Sequence, residues 1–184
     1  MTRPDDDALR ETTIASEVVF DGVLLSVRSD RIRLPDGRES VREWIDHSGA
    51  VLVVAEQADG QLVFVRQYRY AVGRAVLELP AGRIDPGEDP ETCGRRELRE
   101  ETGFEARQWQ HLGTIEPCFA YSSEVIDIYL ARELTAVGTQ LDDDEFLEPL
   151  LLSRQEAEAA ARDGRITDAK TIAALFLALP FLGT

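Results

Sequence analysis

The stretch from Gly82 to Phe104, GRIDPGEDPETCGRRELREETGF, constrains this chain more than any other. Asp89 suits a helix N-cap, Pro90 the first helical position and Gly103 a stop, so the spacing predicts a helix over 90–102. Such a helix does not read as a core helix. Its apolar residues are few, chiefly Cys93 and Leu98, and Gly94 in mid-helix costs about 1 kcal/mol relative to alanine. Glu97, Glu100 and Glu101 fall at i, i+3 and i+4 on one face, where like charges disfavour a helix by roughly 0.2–0.5 kcal/mol per pair. One account is a solvated surface helix, with Glu91–Arg95 and Arg96–Glu100 pairing at i, i+4. The other is a divalent cation. Mg²⁺ takes one or two carboxylates and completes its octahedron with waters and phosphate oxygens. Gly82 and Gly87 would let an adjoining loop turn tightly beside it.

The 184 residues carry 20 Lys+Arg against 35 Asp+Glu, a formal net charge of −15. The length predicts one compact domain with a small appendage, and 43% hydrophobic residues are too many for a disordered chain. The acidic balance leaves no general basic footprint for nucleic acid or an anionic membrane. No apolar run reaches the roughly 18 residues of a membrane span. The opening MTRPDDDALR lacks the apolar segment of a secretory signal. Cys93 and Cys118 form neither a disulfide framework nor, with His47 and His111, a zinc motif, so a reducing cytoplasm is the expected location.

Along the chain, residues 1–12 read as a loose acidic tail. Residues 13–46 read as a small antiparallel β region with turns at Asp21-Gly22 and Asp36-Gly37. Residues 47–184 form the main domain. There the β-branched run Ala50 to Ala55 reads as a buried strand. Further strands are expected near 61–67, 76–79, 111–116, 124–131 and 146–152, with closing helices over 154–163 and 168–179. This order predicts an α+β fold, a sandwich in which helices cover a mixed, curved sheet.

The stretch beginning at Gly82 resembles the Nudix box, G-x5-E-x7-R-E-U-x-E-E-x-G-U, at Gly82, Glu88, Arg96, Glu97, Leu98, Glu100, Glu101, Gly103 and Phe104, without a gap. The resemblance implies an α/β/α sandwich and hydrolysis of a nucleoside diphosphate linked to another moiety. It makes Glu97 and Glu101 the principal metal ligands, Glu100 a ligand or near-ligand with a catalytic part, and the Ala81 carbonyl a further ligand. The metal would be Mg²⁺, with Mn²⁺ an alternative. Glu88 and Arg96 would pair to hold the loop against the helix, and Gly82 and Gly103 would be structural.

Glu78-Leu79-Pro80-Ala81-Gly82 and Arg66-Gln67-Tyr68-Arg69 resemble motifs of ADP-ribose pyrophosphatases within that family. By this likeness the substrate is ADP-ribose, the products are AMP and ribose 5-phosphate, and the N-terminal β region pairs two protomers into a homodimer. Arg69 and Arg66 are candidate phosphate contacts, with an ordinary salt bridge as the other reading. Trp44 either stacks on adenine or packs in the dimer interface, and Glu78 would touch a second metal or water. Asp142 to Glu148 resembles the segment that carries the general base, which places Glu145 in that role with Asp144 next. The loop Glu116 to Glu124 departs from the family's S-P-G pattern, which leaves the non-nucleotide moiety open. A broader nucleoside diphosphate sugar pyrophosphatase is therefore one alternative, and a catalytically silent ADP-ribose-binding module is another of a different class.

Overall fold

A computed structural model gives the structure of the protein and describes residues 6–139 and 146–183. The chain divides into two compact units, Met1–His47 with Cys118–Glu124, and Ser48–Pro117 with Val125–Thr184.

In the first unit a 3-10 turn at Asp6–Leu9 precedes three strands, β1 (Thr12–Asp21), β2 (Ser26–Arg33) and β3 (Glu39–Asp46), paired antiparallel in the order β1-β2-β3. Two hairpin turns connect them. Gly22 donates its N–H to the Leu25 carbonyl at 2.8 Å, and Leu34 donates to Arg38 at 2.8 Å across a turn holding Gly37 at φ 87°. The segment Cys118–Glu124 adds to β3. Ile45 donates to the Tyr121 carbonyl at 2.9 Å, and Ser123 returns the bond to the Ile45 carbonyl at 3.0 Å.

The second unit is built on a mixed sheet of seven strands: β4 (Ala50–Glu56), β5 (Leu62–Arg69), β6 (Arg74–Glu78), β7 (Ala81–Arg83), β8 (Phe104–Ile115), β9 (Ile126–Ala136) and β10 (Leu147–Leu152). The order is β10-β5-β4-β9-β8, with β6 on β5 and β7 on β4. β4 and β9 run parallel from Ala50 opposite Ile126 to Ala55 opposite Ala131. Three helices follow the sequence spacing: α1 (Pro90–Thr102), α2 (Arg154–Asp163) and α3 (Ala169–Ala178).

All seven residues of β4 are buried. Their alternation divides the core in two. Ala50, Leu52 and Val54 join Phe64, Ile128, Ala157, Ala174 and Leu175 on the face covered by α2 and α3. Val51, Val53 and Ala55 join Cys93, Leu98 and Ala131 on the face covered by α1. Each fully buried Val or Leu contributes about 1.5–3 kcal/mol by leaving water, and the result is an α/β/α sandwich. Two strands run longer than the sequence reading and one, β7, is absent from it. β8 starts at Phe104 rather than near 111, because its exposed Glu105, Arg107, Gln108 and Gln110 hide the apolar alternation. β9 continues to Ala136 as its partner, and β7 is too short for any period to register. Among the described residues no helix is long and apolar enough to cross a membrane.

Candidate active site

α1 is fixed at both ends by its sequence. The Asp89 side chain accepts the Thr92 N–H at 3.1 Å, and Gly103, at φ 73°, donates to the Arg99 carbonyl at 2.9 Å. Gly94 is the point where the helix meets the sheet. A Cβ there would lie 3.1 Å from Val51 and 3.2 Å from Trp109. The residue that is costly in an isolated helix thus permits the helix to sit close against β4.

That approach presents the acidic face of α1 to β7. Gly82, paired opposite Val51 of β4, lies directly under Glu97. A Cβ on Gly82 would fall 1.8 Å from Glu97 Oε1, so the carboxylate occupies space that only glycine leaves open. One residue earlier, Ala81 donates its N–H to Glu101 Oε2 at 3.1 Å, and Glu101 is only 4% exposed. The third carboxylate, Glu100, is more open.

Arg96 ties these groups to the loop before the helix. Its Nη1 donates to Glu97 Oε1 at 2.7 Å and to Glu100 Oε2 at 3.1 Å. Its Nε and Nη2 reach the two oxygens of Glu88, each at 3.1 Å, and Nη2 also reaches the Arg83 carbonyl at 3.1 Å. The Arg96 hydrogen bond holds the Glu88 carboxyl below the usual glutamate range against the opposing effect of burial. Glu88, then Glu97 and Glu100, push the Arg96 guanidinium above its ordinary value. Beneath them the Cys93 thiol is pushed up to about 12, chiefly by burial and then by Glu88 and Glu97. It is a packing group rather than a nucleophile.

The donor set suits a hard divalent cation: carboxylate oxygens on one helix face, one of them deeply buried, over a glycine cradle that a Cβ would fill. Among the described residues no three acid, His or Cys side chains stand as a ready-made ligand cluster. Arg96 serves instead as counter-charge to Glu97 and Glu100.

A second cluster lies on β5, β6 and the start of α3. Glu78, 2% exposed, accepts from Arg69 Nε at 2.7 Å on one oxygen and from Lys170 Nζ at 2.6 Å on the other. Lys170 also donates to Asp168 Oδ2 at 2.9 Å. Asp168 caps α3, accepting the Thr171 N–H at 3.1 Å, and the Thr171 hydroxyl oxygen accepts the Leu79 N–H at 3.0 Å. Burial works against the charge on Arg69, but Glu78, followed by Glu101 and Asp168, holds its pKa above the ordinary value. Arg69 therefore feels the charge of a box carboxylate. Both Glu78 oxygens are engaged by these cations, so in this arrangement Glu78 serves Arg69 and Lys170. The sequence reading overlooked Lys170 and Thr171. One signal was available: Lys170 is the sole lysine in the chain.

The remaining candidates are more dispersed. Arg66 is exposed and pairs with Glu148 at 3.2 Å across the β5–β10 ladder. Trp44 belongs to the first unit, where its indole N–H donates to Asp30 Oδ2 at 2.9 Å. Asp144 and Glu145 lie outside the described residues.

Comparison with known proteins places this geometry. Residues 46–175 match the NUDIX domain, and residues 11–45 match the nucleoside diphosphate sugar hydrolase N-terminal domain. The chain belongs to the Nudix family. The ADP-ribose pyrophosphatase of Bacillus subtilis (strain 168) is 34% identical over 170 residues, covering 91% of this chain and 92% of its own. A protein named methanol dehydrogenase activator, from Bacillus methanolicus, is 37% identical over 169 residues and 90% of each chain. A solved structure described as an ADP compounds hydrolase matches with a TM-score of 0.82 at 25% identity, over 94% of both chains.

Proposed function

We propose that this protein hydrolyses ADP-ribose to AMP and ribose 5-phosphate. The observation that carries the reading is the carboxylate face of α1, with Glu97 seated over Gly82 and Glu101 accepting the Ala81 N–H. The similarity to an ADP-ribose pyrophosphatase and to an ADP compounds hydrolase supports the choice of substrate.

Glu97, Glu101 and Glu100, with the Ala81 carbonyl, would hold Mg²⁺ or Mn²⁺, which neutralises diphosphate charge and lowers the pKa of bound water. Arg69 offers guanidinium N–H groups to phosphate oxygens, and Arg66 adds positive charge on the same strand. Glu145, with Asp144 as the next candidate, takes the proton of the attacking water as its oxygen bonds to phosphorus and the bridging P–O bond breaks. Trp44, in the N-terminal region, is read either as a ring face for adenine or as a packing residue of the dimer interface. Glu88, Arg96, Gly82 and Gly103 hold the loop and helix in place. The substrate is thus a small nucleotide sugar rather than a nucleic acid or a membrane, and a cytoplasmic location accords with the acidic chain and its two free thiols.

The N-terminal β region, 13–46, is read as the dimerisation element, with 47–184 as the catalytic domain. Its exposed Val18, Val19, Phe20, Val23 and Leu24 support that reading.

The test is AMP release from ADP-ribose with Mg²⁺, beside UDP-glucose, ADP-glucose, GDP-mannose and a nucleoside triphosphate. Preference for ADP-ribose is the expected result. Equal cleavage of several sugars would replace it with a broad nucleoside diphosphate sugar pyrophosphatase. Binding of ADP-ribose without turnover of any compound would make the protein a binding module.

A further inference from the structure

The cationic residues of this chain are arginines at every position but 170. That one lysine is not a surface residue. Its side chain is 19% exposed, and its Nζ bridges two carboxylates, Glu78 Oε2 at 2.6 Å and Asp168 Oδ2 at 2.9 Å. It lies 92 positions from Glu78 in sequence, on the first turn of α3. The neighbouring Thr171 bonds the Leu79 N–H, which fixes that turn to the backbone leading into the Gly82 cradle.

Glu78 meets Arg69 through Nε alone. Among the described residues the two terminal nitrogens of Arg69 have no hydrogen-bond partner. A lone guanidinium–carboxylate pair usually closes bidentately, using two N–H groups against two oxygens. Here the second oxygen is already taken by Lys170. An ammonium suits this task better than a guanidinium, because it is a compact donor that satisfies two carboxylates without presenting a competing planar fork.

We infer that Lys170 is a positioning residue for Arg69: by occupying Glu78 Oε2, it restricts Glu78 to Arg69 Nε and keeps the terminal nitrogens of Arg69 available to a substrate phosphate. Asp168 keeps the ammonium in place from the other side. The inference rests on the reading of Arg69 as a phosphate contact, and the experiment separates the two.

Steady-state kinetics with ADP-ribose and Mg²⁺ would be measured for Lys170→Met, Arg69→Met and the double variant. Lys170→Met keeps the aliphatic stem and removes the charge. It is expected to raise KM about tenfold, the size of one charge-assisted phosphate contact, with kcat within about twofold. Arg69→Met should raise KM at least as much. In the Arg69→Met background, Lys170→Met should add less than about twofold, because its route to substrate is already gone. Lys170→Arg should fall between wild type and Lys170→Met, since it restores charge but brings a second fork.

A KM increase from Lys170→Met that persists undiminished without Arg69 would overturn the inference. So would an unchanged KM in Lys170→Met while Arg69→Met raises it, and in either case the Arg69 reading stands. An unchanged KM in Arg69→Met removes that reading and the inference with it.

Discussion

In the second unit all seven residues of β4 are buried and helices cover both faces of the sheet, whereas in the first unit nine of the ten residues of β1 are exposed. The side chains are similar. β4 reads Ala-Val-Leu-Val-Val-Ala-Glu, and β1 contains Val18, Val19 and Phe20, each at least half exposed, followed by Val23 at 106% and Leu24 at 63%. β-Branched and aromatic residues therefore produce a closed core where helices are at hand and an open apolar surface where none is. The second unit accounts for its own sequence. In the first the apolar side chains of β1 stay exposed, which is the observation behind its proposed role in dimerisation.

The sharpest way to probe the self-sufficient unit is Gly82→Ala. The added methyl would collide with the Glu97 carboxylate, the free end of a flexible side chain, so the carboxylate should move while the fold holds. Turnover should fall about a hundredfold with a raised requirement for Mg²⁺, while the thermal midpoint moves little. A variant with wild-type turnover would show that the position of Glu97 does not matter to the chemistry.

Leu24→Asp tests the open unit. This turn residue is exposed and contributes little to its own chain. In the proposed dimer, a charge at this position should raise the dissociation constant about tenfold or more, visible as a fall in mass by light scattering. Wild-type protein that is monomeric at micromolar concentration would break the comparison, because the exposed apolar surface would then have no use in assembly.

The smallest expected effect is on Glu88→Gln. Arg96 holds the Glu88 carboxyl below its ordinary 4.5, so the pair stabilises the fold above that value and the contribution is lost as pH falls through the lowered one. The variant should be about 1–2 kcal/mol less stable at pH 7. The gap should narrow under acid conditions, once Glu88 itself takes a proton. Urea midpoints at neutral and acid pH measure this, and a gap independent of pH would remove the charge from the explanation.

The parts of the fold that were legible are those with local punctuation. Asp89, Pro90 and Gly103 bracket α1 because a side-chain cap, a fixed φ and a left-handed residue each act within a few positions. The apolar run of β4 announces burial without naming its neighbours. The box carboxylates were legible through spacing, since i, i+3 and i+4 share a helix face. The Glu78–Lys170 bond had no such signature, because the sheet and α3 bring together residues far apart in sequence. The union of Cys118–Glu124 with β3 was hidden for the same reason: backbone pairing leaves no mark on side-chain type. In the sequence Gly94 shows only its expense to the helix, because a close approach to Val51 and Trp109 is visible only once the sheet exists.

The parallel pairing of β4 with β9 has a consequence for how the molecule comes into being. The two strands are separated in sequence by β5 to β8 and by α1, so joining them closes a long loop before any contact rewards it. Non-local pairing of this kind slows folding, whereas the β5–β6 hairpin is a local contact. The glutamates of α1 gain their cradle only when β7 lies along β4, and the helix gains its seat only when Gly94 meets Val51. The seating of the carboxylate face thus depends on the same long-range pairing that completes the sheet.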